Sequence, residues 1–70
     1  MRLSETMLHG LRKMQEKHRR QDTVLAEPND NTGRALEKRG LVEFVMERDG
    51  WRRYRVTSAG RAALEAQDGK

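Results

Sequence analysis

Apolar residues recur at helical spacing near the start of the chain. They form one stripe: Leu3, Met7, Leu8, Leu11 and Met14. This spacing predicts an amphipathic helix over about residues 4 to 18. Ser4 stands where its hydroxyl can accept a hydrogen bond from the free amides of the first turn. Gly10 lies inside the pattern, where glycine costs about 1 kcal/mol relative to alanine.

A second helix is predicted over residues 31 to 39, with Leu36 on its buried side. Asp30 or Asn31 is the candidate N-cap, because both side chains can accept hydrogen bonds from the first-turn amides. Gly40 follows the last periodic position, where glycine commonly ends a helix in the left-handed conformation.

The link between these helices is predicted from proline chemistry. Val24, Leu25 and Ala26 precede Pro28, and proline cannot continue a helix. Residues 21–27 are therefore expected to form a short helix or a single turn.

The apolar pattern changes in residues 41–57, where β-branched and aromatic residues flank Asp49-Gly50 and predict a hairpin. A two-residue loop would scatter the apolar residues over both faces. A three-residue loop, Arg48 to Gly50, pairs Phe44 with Tyr54 and gathers the apolar residues, so this register is predicted. The outer face of the hairpin would then carry Glu43, Val45, Glu47, Trp51, Arg53 and Arg55.

A last helix is expected after the hairpin, capped by Thr57 or Ser58. Its inward residues would be Ala59, Ala62, Ala63 and Leu64. The chain is thus expected to form a single α+β domain over residues 1–70, with an ordered core of about 3–66 and a frayed tail at 67–70.

Composition narrows the class of protein. The 70 residues include fifteen Lys and Arg against eleven Asp and Glu, a net charge of +4, and no cysteine. Disulfides and thiolate metal sites are therefore excluded. No apolar run is long enough for a membrane span or a signal peptide, so a cytoplasmic protein without membrane partners is expected. A positive balance favours an acidic partner, most often nucleic acid.

Two segments carry a resemblance to a known family. Residues 31–43 include Leu36-Glu37-Lys38-Arg39-Gly40-Leu41-Val42, and residues 56–60 are Val-Thr-Ser-Ala-Gly. Together they resemble the winged helix-turn-helix domain of bacterial regulators of the multiple-antibiotic-resistance and PadR type. The resemblance implies three to four short helices and a two-stranded wing hairpin. It also implies a prokaryotic or phage transcription regulator, or an architectural factor, that binds double-stranded DNA.

Candidate DNA contacts follow from spacing as well as from this resemblance. Residues 31, 34 and 38 share one stripe opposite Leu36. Asn and Arg can contact adenine and guanine bidentately in the major groove, and Lys suits a phosphate. With helix 31–39 in the major groove and wing 47–53 on the backbone, the expected DNA-binding set is Asn31, Thr32, Arg34, Lys38, Arg48, Arg52 and Arg53.

A protein-interaction module, such as a phage-type inhibitor built on the same scaffold, is the alternative function. Val45 and Trp51 are its candidate protein contacts, and Asp30 and Glu37 beside the DNA-contacting stripe favour it, because carboxylates repel phosphate. A module of this size also favours a homodimer or tandem binding for useful specificity.

Catalytic, cofactor and metal sites are not expected. His9 and His18 have no third ligand at useful spacing. A calcium loop at Asn29 to Asn31 fails because Thr32 stands where glycine is needed. No phosphate-binding glycine loop and no nucleophilic triad can be assembled, so no enzyme is predicted.

Overall fold

The computed structural model describes residues 3–68, which form a small α+β domain. Its elements are, in chain order, α1 (Glu5–His18), β1 (Val24–Leu25), α2 (Asp30–Lys38), β2 (Val42–Arg48), β3 (Trp51–Val56) and α3 (Ser58–Asp68). The strands make an antiparallel sheet in the order β1-β3-β2. Within the described range, no helix has the length and apolar character needed to cross a membrane.

The predicted first helix is confirmed. The Ser4 hydroxyl accepts a hydrogen bond from the Met7 amide at 3.2 Å, and α1 runs from Glu5 to His18. Gly10 is buried, and a Cβ atom there would collide with the backbone carbonyl of Glu27. Glycine is thus required by the close approach of α1 to the chain that leads into α2.

The segment between α1 and α2 corrects the prediction of a short helix or a turn. Val24 and Leu25 form a strand that pairs with Tyr54 and Arg53 of β3. Val24 is completely buried, so the strand contributes to the core although it is only two residues long. The sheet therefore has a third strand that the predicted two-stranded hairpin lacked, and residues 19–29 contain no helix.

The predicted end of α2 is confirmed, but its predicted N-cap is wrong. Its N-cap is Asn29, whose Oδ1 accepts from the Thr32 amide at 3.1 Å, so neither Asp30 nor Asn31 has this role. Its end at Gly40 is confirmed, with φ +77°. The amides of Gly40 and Leu41 bond to the carbonyls of Glu37 (2.9 Å) and Leu36 (3.0 Å), which closes the last turn.

The hairpin combines the two registers that the sequence allows. Val42 pairs with Val56 and Phe44 with Tyr54, as predicted. The predicted three-residue loop is wrong, because Arg48 pairs directly with Trp51 and only Asp49 and Gly50 form the turn. The two registers are joined at Val45, which has no partner on β3 and forms a β-bulge between Phe44 and Met46.

The bulge also changes which side chains share a face. Beyond it, Glu47 pairs with Arg52, which lies on the same side of β3 as Tyr54. Glu47 therefore leaves the outer face on which it was predicted.

The last helix is capped by Thr57, whose hydroxyl accepts from the Gly60 amide at 3.0 Å. Its inward residues are Gly60, Ala63 and Leu64, whereas Ala59 and Ala62 are exposed, contrary to the prediction. Glycine is needed at the buried position of Gly60, because a Cβ atom there would collide with the Leu41 carbonyl. The helix extends through residue 68, and residues 69 and 70 of the predicted tail lie outside the described range.

The core lies between one face of the sheet and the helices. Tyr54 is its largest fully buried side chain. The other buried apolar residues are Leu3, Leu11, Met14, Val24, Leu36, Val42, Val56 and Leu64. One face of the sheet is thereby covered, while the opposite face carries the exposed side chains of Leu25, Val45 and Trp51.

Candidate nucleic-acid interface

The helix α2 has one exposed polar face. Asn31, Arg34 and Lys38 are exposed on it, and Leu36 is completely buried on the other side. This separation follows from the helical period, because positions three and seven residues apart lie on one stripe. The predicted stripe is therefore available to a partner.

Thr32 does not belong to this face. It is only 8% exposed, and its amide and hydroxyl both donate to Oδ1 of Asn29, at 3.1 and 3.3 Å. These bonds hold the first turn of α2 in place. The position of Thr32 is therefore structural, in contrast to the predicted DNA contact.

Asp30 joins the exposed face of α2 to the core. Its Oδ2 accepts a hydrogen bond from Nε of Arg34 at 2.8 Å, and its Oδ1 accepts from the Tyr54 hydroxyl at 3.3 Å. Both carboxylate oxygens are thus engaged. From the sequence, Asp30 is expected only as a candidate helix cap and as a charge that repels phosphate.

Arg52 connects the hairpin to α2. Its Nε donates to the Tyr54 hydroxyl at 2.8 Å, and its Nη2 donates to Oε1 of Glu37 at 2.9 Å. The hydrogen bond with Tyr54 raises the pKa of Arg52 above its ordinary value, so this side chain remains a cation. Arg52 is half-buried, and its Nε and one terminal nitrogen donate within the fold.

The guanidinium of Arg52 also covers Phe44, 4.1 Å from the ring centroid. Phe44 was predicted to join the core, but it is 41% exposed and meets Tyr54 edge-on at the margin of the core. A cation over an aromatic face is favourable, and it replaces burial here.

Arg53 also makes its hydrogen bonds within the fold. Its Nε donates to the Thr23 hydroxyl at 2.7 Å, and its Nη2 donates to the Thr23 carbonyl at 2.6 Å and to Oε1 of Gln21 at 3.1 Å. These bonds attach β3 to the chain that enters β1. No local pattern indicates this role, because the partners are thirty and thirty-two residues away in sequence.

The tip of the hairpin is the most exposed part of the sheet. Arg48 and Trp51 form its last pair, and Trp51 is 62% exposed. Trp51 and Leu25 line a shallow cleft of about 350 Å³ between the hairpin and the link that leads into α2. Of the three arginines predicted on the wing, Arg48 is the exposed one.

The charges around α2 are balanced in pairs. Asp30 and Glu37 flank the exposed stripe, and each forms an ion pair with an arginine, Arg34 and Arg52 respectively. This pairing reduces the repulsion that the two carboxylates would exert on a phosphate backbone.

The exposed stripe offers hydrogen-bond donors on one side of α2, which suits the edges of bases and phosphate oxygens. Among residues 3–68, no group of three or more His, Asp and Glu side chains is placed to hold a metal ion. Comparisons with family models, with curated proteins and with solved structures find no match.

Proposed function

We propose that this chain is a small cytoplasmic protein that binds double-stranded DNA through a winged-helix domain, as a prokaryotic or phage transcription regulator or architectural factor. The observation that carries the proposal is the single exposed stripe of Asn31, Arg34 and Lys38 on α2. These three residue types form hydrogen bonds with adenine, guanine and phosphate, respectively. The net charge of +4 agrees with a polyanionic partner.

The arrangement of α2 and the hairpin supports this function. Gly40 ends α2 just before β2 begins, and Arg52 joins the hairpin to α2 through Glu37. Exposed Arg48 at the tip can then contact the backbone while α2 enters the major groove. Arg52 and Arg53 hold these two elements in place, a supporting role that differs from the predicted phosphate contacts.

The support for α2 departs from the family that the sequence resembles. In a helix-turn-helix motif a helix precedes the recognition helix. Here α2 is preceded by β1, and its N-terminal turn is anchored to the sheet through Asp30 and Tyr54. We infer that α1 and the sheet together support α2 in place of a helix directly before it.

A titration of random-sequence duplex DNA, followed by Trp51 fluorescence, tests the proposal. Affinity should fall by orders of magnitude between ~50 and ~200 mM salt, because phosphate contacts release counterions. Arg34→Ala should then cost about 1–3 kcal/mol on a preferred site and relax specificity, whereas Lys38→Ala should weaken binding to all sequences alike.

Arg55→Ala is the matched control, since Arg55 is an exposed arginine that pairs with Glu43 on the hairpin, away from the α2 stripe. It should change affinity much less than Lys38→Ala. Absence of duplex binding at the lower salt concentration would exclude the proposed function. Equal losses from all three variants would show that the charge of the whole protein, rather than α2, attracts the DNA.

The exposed outer face of the sheet favours a second candidate function, the binding of an acidic protein. Leu25, Val45 and Trp51 are 39%, 36% and 62% exposed there, and tryptophan and arginine are enriched in the centres of protein interfaces. Failure of duplex binding, together with binding of an acidic protein that Trp51→Ala abolishes, would favour this function over the first.

A further inference from the structure

Asp30 is anchored in a way that an ordinary surface carboxylate is not. Its Oδ1 accepts a hydrogen bond from the hydroxyl of Tyr54, at 3.3 Å, and the Tyr54 side chain is completely buried. The same hydroxyl accepts from Nε of Arg52 at 2.8 Å. The carboxylate therefore occupies a position defined by the core of the protein and by the hairpin.

This anchored carboxylate holds Arg34 by one particular nitrogen. Nε of Arg34 donates to Oδ2 of Asp30 at 2.8 Å. A guanidinium has five N–H donors, so the two terminal nitrogens, Nη1 and Nη2, retain their four N–H groups for a partner. The Arg34 side chain is 64% exposed, so these groups are accessible to solvent.

Two parallel donors are what guanine requires in the major groove, where its O6 and N7 are adjacent acceptors. An arginine that is already oriented loses less conformational freedom when it forms such a pair. Adenine presents an acceptor and a donor at the same place, so one of the two arginine N–H groups would face another donor.

We propose that Asp30 is a positioning residue that orients Arg34 towards guanine, so that the DNA sequence bound by α2 contains a G·C pair opposite Arg34. This inference rests on the proposed DNA-binding function. It adds the base that is recognised and a specificity-determining residue that does not itself contact the DNA.

Two effects of Asp30 have opposite signs, and this makes the inference testable. As a negative charge beside phosphate, Asp30 weakens binding to every sequence. As the support of Arg34, it strengthens binding to one sequence over others. Asp30→Ala should therefore raise the affinity for random duplex DNA while lowering the preference for the G·C pair.

The experiment begins with selection from a library of duplexes that have a randomised central segment. The best duplex is then compared with the same duplex carrying A·T in place of the G·C pair. For the unaltered protein this affinity ratio should be about tenfold or more. It should approach one for Arg34→Ala, and fall at least about threefold for Asp30→Ala.

Glu43→Ala is the matched control, because Glu43 is an exposed carboxylate that also pairs with an arginine, at 3.3 Å, but lies on the hairpin. It removes the same charge and should leave the ratio unchanged. The double variant Asp30→Ala with Arg34→Ala should have the same ratio as Arg34→Ala alone, since Asp30 acts through Arg34.

Thermal unfolding of each variant separates specificity from stability. If Asp30→Ala does not fold, Asp30→Asn gives the test, because a neutral amide holds the Arg34 guanidinium less strongly than a carboxylate does, and the ratio should still fall. An unchanged ratio in the folded variant would overturn the inference, as would a selected site without a guanine preference. Loss of salt-dependent duplex binding by the unaltered protein would instead overturn the proposed function.

Discussion

The base and the tip of the β2–β3 hairpin differ in strand register and in burial. In the base, residues 42–44 and 54–56, Val42 faces Val56 and Phe44 faces Tyr54. In the tip, residues 46–48 and 51–53, the pairing is displaced by one residue, so that Met46 faces Arg53. Tyr54, Val42 and Val56 are at most 1% exposed, whereas the residues of the tip are half-buried or exposed.

Burial determines the register of the base, because a slip of one residue would move its apolar side chains to the solvent side. Turn geometry determines the register of the tip. Asp49 and Gly50 have φ +56° and +82°, the conformation of a tight two-residue turn that matches the twist of paired strands. The bulge at Val45 accommodates both requirements. The base thus anchors α2 through Tyr54, while the tip is free to present Arg48 and Trp51.

Replacement of the largest buried side chain in the base gives the largest expected effect. Tyr54→Ala should lower the free energy of unfolding by about 3–5 kcal/mol, because it leaves a cavity in the core. It also removes the hydroxyl that contacts Asp30 and Arg52. A domain of this size has little stability to lose, so this variant should unfold at a much lower urea concentration than the unaltered protein.

Trp51→Ala in the tip is the control, since it removes an aromatic residue of the same strand that is 62% exposed. Its effect should stay within about 0.5 kcal/mol. Urea denaturation followed by far-ultraviolet circular dichroism measures both variants without relying on Trp51. Equal losses of unfolding free energy in the two variants would show that the tip contributes as much to stability as the base.

The turn at the tip provides a smaller effect. Gly50→Ala should cost about 1–2 kcal/mol, because a Cβ atom disfavours the left-handed conformation that Gly50 adopts at φ +82°. Nothing lies within 4 Å of the added Cβ atom, so the cost is conformational rather than steric crowding by neighbours. Urea denaturation measures it.

The control for the turn has the opposite sign. Asp49 also has a positive φ, +56°, so Asp49→Gly should leave stability unchanged or raise it slightly, because it relieves the same penalty. A destabilised Asp49→Gly variant would mean that the aspartate side chain, rather than backbone conformation, maintains the turn.

The sequence predicts those parts of the fold that depend on a repeating pattern or on a single residue. The stripe of α1, the end of α2 at Gly40 and the base register all depend on periodicity or on one local residue, and all three are confirmed. The strand β1 was missed because two residues carry no measurable period. The N-cap was misplaced because Asn29, Asp30 and Asn31 are consecutive and all are good caps.

The candidate site shows a similar limit. Exposure of Asn31, Arg34 and Lys38 follows from the helical period alone. The positions of Arg52 and Arg53 do not, because they depend on Glu37 and Thr23, which reach these arginines only in the folded chain. An arginine in a wing sequence is therefore a poor predictor of a phosphate contact unless its acceptors are known.

Deletion of Val45 gives the smallest expected effect, and it tests whether the registers of the base and the tip are independent. It removes the unpaired residue of the bulge, so the pair Phe44–Tyr54 is followed directly by Met46–Arg53 and both registers become continuous. Because Val45 is 36% exposed and has no partner in the ladder, the free energy of unfolding should change by less than about 1 kcal/mol.

Deletion of Glu43 is the control, since it displaces Val42 from its buried place opposite Val56 and should destabilise the protein more. Urea denaturation measures the stabilities, and proton NMR contacts across the strands identify the pairs. If deletion of Val45 costs as much as deletion of Glu43, the extra twist of the bulge is itself needed to bring Arg52 over Phe44, and the base and the tip are one structural unit.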